Sequence, residues 1–288
     1  MSLSDAKTPG CTPRTKLLRW LAVSVAVAPL ASCALVHNYD DPDGPRYEGR
    51  YSTTSDRSTS ELTLATFNIK FAANVSTAIE EIEDTPALRD AGFLLLQEMD
   101  NSGSDAIAAH FGFDYVYYPG SKHHGKDFGN AVLSRWPIVD DHKLILPYRN
   151  PSNGRIRIAV SASVSTPEGI LHVYSVHTET PWLGPRARLE QVEFIADDAA
   201  KLGEPMLIGG DFNTLEGESV DATAEIFKDR GYTWATKRVT DTVSSAVGSF
   251  TLDHIYVKGF DVLSAHTRGT DASDHQPVWV LLTRRDDP

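Results

Sequence analysis

The sequence predicts an α/β fold. Short apolar strands alternate with stretches of helical periodicity from Leu62 onward, and strand after strand ends on Asn, Glu, His or Asp. The 288 residues are enough to bury one large core.

Taken in order, Leu62–Phe67 alternates and ends at Asn68. Phe93–Leu96 is continuously apolar, as a strand covered on both faces must be, and ends at Gln97-Glu98. Ile170–Val176 ends at His177, and Pro205–Ile208 runs through Gly209-Gly210 into Asp211-Phe212-Asn213. Between these two, Leu189, Val192, Phe194, Ile195 and Ala199 give Pro185–Leu202 helical spacing. Asp253–Val257 and Pro277–Leu282 complete the series, the second preceded by Ser273-Asp274-His275. If the strands lie side by side, their polar ends converge on one rim. A single polar strand end is a common turn former. Five that hold acid/base and metal-ligand residue types are harder to explain as turns.

The formal net charge is −12, so the surface repels polyanions at long range and lacks the basic footprint of a tight duplex-DNA binder. Cys11 and Cys33 are the only cysteines, which excludes a disulfide framework over the rest of the chain. No repeat or low-complexity tract interrupts the sequence.

The N-terminus reads as an address. Lys16 and Arg19 precede the apolar run Leu21–Leu30, followed by Ala31, Ser32 and Cys33, the parts of a secretory signal. Leu30-Ala31-Ser32-Cys33 also resembles the bacterial lipobox, so residues 1–33 are expected to be a lipoprotein leader and Cys33 the lipidated first residue of the mature chain. Each buried acyl methylene contributes roughly 0.8 kcal/mol, and a multiply acylated cysteine therefore anchors firmly. The expected location is the cell envelope, at the outer membrane in a Gram-negative cell. Residues 34–60, rich in Asp, Pro, Gly, Ser, Thr and Arg, read as a solvated tether. The catalytic domain is then expected over 61–285.

Seven motifs now stand in order: Thr66-Phe67-Asn68-Ile69, Leu96-Gln97-Glu98, Gly129–Arg135, Ser175-Val176-His177-Thr178, Gly210-Asp211-Phe212-Asn213, Leu252-Asp253-His254-Ile255 and Ser273-Asp274-His275. Together they resemble the endonuclease/exonuclease/phosphatase superfamily, from about Leu62 to Leu282. Gly-Asp-Phe-Asn followed by a C-terminal Ser-Asp-His is the specific pair. The resemblance implies a four-layer DNase-like sandwich, two facing mixed sheets flanked by helices, with the site at one end. It also implies a magnesium ion, or manganese in its place, and an oxygen-rich donor set without a cysteine cluster suits such a hard cation.

Phosphoester hydrolysis requires a neutralised phosphate, an oriented water and help for the departing alkoxide. On that reading Glu98 and Asn68 hold the metal, and Asp274 completes the shell or holds a second ion. Asp211, with Asn213 as its orienting amide, aligns or deprotonates the water. Alternatively His275 does so, with Asp253 on its far nitrogen. His177 donates to a phosphate oxygen or protonates the leaving group. Arg155 or Arg157 is a phosphate-side arginine on this resemblance, Arg188 and Gln191 a scaffold pair. Lys122, His123, His124 and Lys126 form a basic loop patch.

The expected activity is that of a monomeric phosphodiesterase or phosphatase outside the cytoplasm. Its substrate is a lipid head group, a sugar phosphate or extracellular nucleic acid. An extracellular nuclease of the same family is the alternative, and an inactive envelope-binding protein is a third reading.

Overall fold

The computed structural model describes residues 36–53, 56–215, 217–245 and 248–285. The expected leader, Cys33 included, lies outside them. Among the described residues no helix is long and apolar enough to cross a membrane.

Along the chain the elements are β1 (Tyr47–Gly49), β2 (Glu61–Asn68), α1 (Val75–Glu83), α2 (Pro86–Arg89), β3 (Phe93–Met99), α3 (Asn101–Phe111), β4 (Asp114–His123) and β5 (Lys126–Ser134). There follow β6 (Ile138–Ile145), β7 (Ile158–Thr166), β8 (Gly169–His177), α4 (Pro185–Ala199), β9 (Met206–Asp211) and α5 (Gly217–Lys228). The last are β10 (Thr233–Trp234), β11 (Val243–Ser245), β12 (Gly248–Phe250), β13 (Asp253–Lys258), β14 (Phe260–Thr267) and β15 (Val278–Arg284).

One sheet has the order β1-β4-β5-β3-β2-β15-β14, the other β10-β13-β9-β8-β7-β6, and β11 with β12 forms a small hairpin. Both large sheets are mixed: β2 runs parallel to β3, and β8 to β9, with antiparallel neighbours on either side.

Side-chain alternation along these strands builds the layers. Leu62, Leu64, Phe93 and Leu95 meet Val160, Ala162, Val173, Leu207 and Ile255 in the core between the sheets. The opposite face of the first sheet, with Ala65, Phe67, Leu94 and Leu96, packs on Ala78, Ile82, Leu88 and Ile107 of the helices α1 to α3. The outer face of the second, with Tyr174, Val176, Met206 and Ile208, packs on Val192, Ile195, Ala199 and Phe227 of α4 and α5. The order helix, sheet, sheet, helix is the four-layer sandwich that the resemblance implied. On α4 Val192, Ile195 and Ala199 are buried, Leu189 is half-buried and Phe194 is exposed.

Buried amides bolt the two sheets together. Gln97 accepts from Thr66 Oγ1 (3.1 Å) and donates from Nε2 to Ser175 Oγ (3.0 Å), across the gap from β3 to β8. Asn130 Nδ2 donates to the carbonyls of Ile158 and Ser175 (3.0 and 3.2 Å). Each amide is buried, so these bonds satisfy groups that would otherwise be costly to desolvate.

The tether expected over 34–60 is corrected by the structure, because the compact unit begins at Val36 rather than at residue 61. β1 adds an edge strand to β4, pairing Tyr47 with Tyr117. Lys143, 3% exposed, donates from Nζ to the carbonyls of Tyr39 (3.0 Å) and Gly44 (2.6 Å). Arg46 forks onto Asp141 at 2.7 and 2.6 Å, and Thr59 is buried with its hydroxyl on Glu168 (2.5 Å). A polar composition signals disorder only when nothing satisfies the backbone, and here a lysine stem and a strand edge do.

Candidate active site

Strand register sets the centre of the site. In the second sheet His177 of β8 and Asp253 of β13 are each the direct partner of Asp211 of β9, so three functional groups lie side by side at one rim. The first sheet faces them with Asn68 at the end of β2, Glu98 in β3, and Asp274 and His275 just before β15. The eight residues singled out from the sequence therefore gather at the seam between the sheets.

Asp211 is the hub. Its Oδ2 accepts from Asn68 Nδ2 (3.0 Å) and lies 3.4 Å from His177 Nε2 and 3.6 Å from His275 Nε2, while its Oδ1 accepts the Asn213 backbone N–H (2.9 Å). Asn213 thus orients Asp211 through its main chain, at a positive φ of 50°. Its side-chain Nδ2 turns away to Thr178 O (3.1 Å). Gly210, inside β9, admits no side chain: its φ is 151°, and a Cβ there would stand 1.9 Å from the Val176 carbonyl oxygen.

His275 Nδ1 lies 2.9 Å from Asp253 Oδ2, the expected bond to the ring's far nitrogen. Burial acts to lower the His275 pKa, but Asp253 and Asp211 outweigh it, and the imidazole is pushed well above its ordinary value. Burial raises Asp211, with Asp253 and Glu98 adding to it and His275 opposing. A protonated His275 is therefore shared by two carboxylates, one of them poised to hold a proton. His177 goes the other way. Burial, then the Arg157 guanidinium and His275, push it well below its ordinary value and keep it neutral.

Glu98 occupies an irregularity in the β3–β5 ladder, between Leu96 and Met99, with a left-handed φ of 58°. A β-strand residue other than glycine rarely adopts that geometry, and such strain clusters at functional sites. The twist turns the carboxylate toward the seam, where Oε2 accepts the Phe71 N–H (3.2 Å) and Oε1 lies 4.0 Å from His177 Nε2.

The donor set fits a hard divalent cation. Asn68 Oδ1 is fully buried with no hydrogen-bond partner, a carbonyl oxygen left without a ligand beside the Asp211 carboxylate. Asp211, Asp253 and His275 also offer ligand atoms within 4.8 Å of one another. Asp274 is placed differently from the other expected ligands: its Oδ2 is ion-paired with Lys70 Nζ at 2.7 Å, at the exposed mouth. Burial works to raise its pKa, but Lys70 holds the carboxyl below its ordinary range.

Arg157 and not Arg155 meets the centre: its Nη1 is 3.1 Å from His177 Nε2, and its guanidinium lies over the Phe128 ring and 3.4 Å from Glu179 Oε1. Glu179 was not foreseen, although it follows His177-Thr178 directly. Gln191 is scaffold: it accepts the Glu179 N–H (2.9 Å) and donates to Pro147 O (2.7 Å). Of the basic loop patch, His123 turns inward and stacks on Phe71, with ring centroids 4.6 Å apart.

Acids and histidines gathered at the seam of such a sandwich are the pattern of a family of phosphoesterases. The chain belongs to the Endonuclease/Exonuclease/phosphatase family, whose sequence profile matches residues 65–275. Members of that family are typically hydrolytic and generally depend on a divalent metal. A UPF0294 protein of Yersinia pseudotuberculosis is 32% identical over 111 residues, 38% of this chain and 42% of that protein. The chain thus spans about two fifths of the length of the curated relatives it matches. An endonuclease/exonuclease/phosphatase from Beutenbergia cavernae superposes with a TM-score of 0.62 at 21% identity, over 78% of this chain and 72% of that one. A mannosyl-6-phosphatase of Bacteroides thetaiotaomicron does so with a TM-score of 0.57 at 20% identity, over 77% and 99%. At these identities the superpositions speak for the fold.

Proposed function

We propose that the chain is a magnesium- or manganese-dependent phosphoester hydrolase of small phosphorylated substrates, working by in-line attack of water outside the cytoplasm. The observation that carries the reading is the orphaned Asn68 Oδ1 beside the Asp211 hub, a buried acceptor with no partner in the protein. Asn68 and Glu98 would hold the cation, and Asp274 would join them once released from Lys70. Bound there, a hard dication supplies neutralisation of phosphate charge.

The protein's own groups divide the proton work. Asp211, raised by burial and fixed by Asn68 and Asn213, orients the attacking water and takes its proton. His177, neutral and backed by Arg157, donates a hydrogen bond to a phosphate oxygen. His275, kept protonated by Asp253, gives its proton to the departing alkoxide. Lipidation at Cys33 would place this chemistry on the envelope, and Cys33→Ser should move the protein from the membrane to the soluble fraction.

The test is hydrolysis of bis(p-nitrophenyl) phosphate and p-nitrophenyl phosphate by the purified chain. Turnover should need Mg²⁺ or Mn²⁺, stop with chelator, and fall by roughly 10²- to 10⁴-fold in Asp211→Ala, the range of a lost general base. No hydrolysis of either ester with either metal would overturn the assignment. Faster cleavage of single-stranded or duplex DNA than of any small ester would replace it with the nuclease reading.

A further inference from the structure

Beside Glu98 the seam opens into a cleft of about 280 Å³, lined by Phe71, His123, Arg155, Arg157, Glu179 and Trp182 among others. That volume suits a small molecule and is tight for a folded polymer strand. Two guanidinium groups enter it, and of its two carboxylates Glu98 faces the proposed cation while Glu179 is committed to its own loop. Glu179 Oε1 already accepts from Asn150 Nδ2 (2.9 Å), Thr180 N (2.7 Å) and Thr180 Oγ1 (3.0 Å), and reaches Arg157 only at 3.4 Å.

Arg155 has no such claim on it. Its Nε is buried without a hydrogen-bond partner, and no carboxylate stands within ion-pair distance among the described residues. His123, pushed down to about 4 by burial and by Arg155, is neutral and adds no charge. Arg155 and Arg157, on either side of the buried Ile156, both line the cleft. Arg157 is engaged by His177 and Glu179, which leaves Arg155 for a second group.

Resting on the hydrolase reading, we propose that Arg155 is a specificity-determining residue for a second oxyanion, a carboxylate or a further phosphate, carried by the substrate next to the phosphoester that is cleaved. Trp182, 80% exposed, lines the same cleft.

The experiment compares glycerol 3-phosphate, 3-phosphoglycerate and 2,3-bisphosphoglycerate, three esters that differ in the second anion. With the full chain and Mg²⁺, kcat/KM should favour at least one of the two anionic esters by about tenfold or more, the effect of one charge-assisted hydrogen bond. A preference for 3-phosphoglycerate over glycerol 3-phosphate marks the carboxylate, and a further gain with 2,3-bisphosphoglycerate, which carries that carboxylate as well, marks a second phosphate. In Arg155→Gln the preference should fall towards unity, and Arg155→Lys should restore part of it. An equal loss on all three esters would make Arg155 a clamp for the scissile phosphate and overturn the proposal. An unchanged preference would overturn it as well. Calorimetric binding of the same three compounds reads the preference without turnover, so failure of hydrolysis alone would sink the hydrolase reading and leave the subsite decided by binding.

Discussion

His254 should set the acid limit of the fold. It follows Asp253 on β13, but its ring points into the outer core, between Phe212, Trp234 and Tyr256. Nε2 lies 3.0 Å from Thr214 Oγ1, Nδ1 has no partner, and burial pushes the pKa down to about 4. The unfolded chain binds a proton at this position below about pH 6.5, and the folded chain does so only near 4. Between those values the unfolded state carries the extra proton, so stability rises with pH; the contribution is complete above 6.5 and lost as pH falls to 4. At 1.36 kcal/mol per pH unit the window is worth about 3 kcal/mol. His254→Gln keeps a polar contact to Thr214 and does not titrate. Urea unfolding of both proteins at steps from about pH 4 to 7 should show the variant gaining on the wild type by that amount as pH falls. The gain corresponds to about 1 M in midpoint at a slope of roughly 3 kcal/mol per M. Parallel stability curves would refute the reasoning, because they would mean that His254 is charged or solvated in the fold.

Asp253→Asn removes a carboxylate that raises His275, so the alkaline limb of kcat/KM should move to lower pH, by about a unit or more for a buried charge-assisted bond. A pH–rate profile in Mg²⁺ checks the direction, and a limb that stays in place would place the titration elsewhere. Gly210→Ala forces a methyl group against the Val176 carbonyl, which strand pairing prevents from moving. A loss of about 4 kcal/mol or more, or no soluble protein, is expected in thermal melts. Gln97→Leu leaves Ser175 Oγ without its cross-sheet donor and should cost about 1 to 3 kcal/mol in urea unfolding. Its turnover should fall further than its stability, since the seam loses a fixed spacing.

The strand-end residues were legible because period-two alternation and a following polar side chain are both local signals. Asn68, His177, Asp211 and Asp253 stand where that pattern put them. What the pattern could not carry is geometry between sheets. The left-handed turn of Glu98 depends on a mismatch with β5, and the Lys70–Asp274 pair on a loop folding over a distant motif. The segment from Val36 to Thr53 read as a tether because its composition is polar, whereas Lys143 and the edge of β4 that receive it lie far along the chain. Arg155 and Arg157 were indistinguishable in sequence, and only the position of His177 separates them.

The seam has a further consequence. Asn68 and Glu98 ride on one sheet, His177, Asp211 and Asp253 on the other, so every distance between the two sets is a measure of how closely the sheets are pressed together. Leu95 meets Gly209 where a single added methyl would stand 2.9 Å from its Cδ1, well inside the body of the protein. Side-chain volume in that interior therefore acts as a shim under the chemistry. A substitution far from the rim can open or close the gap at the site by a fraction of an ångström, and evolution or design can tune this protein from the inside of the sandwich without altering one residue of its rim.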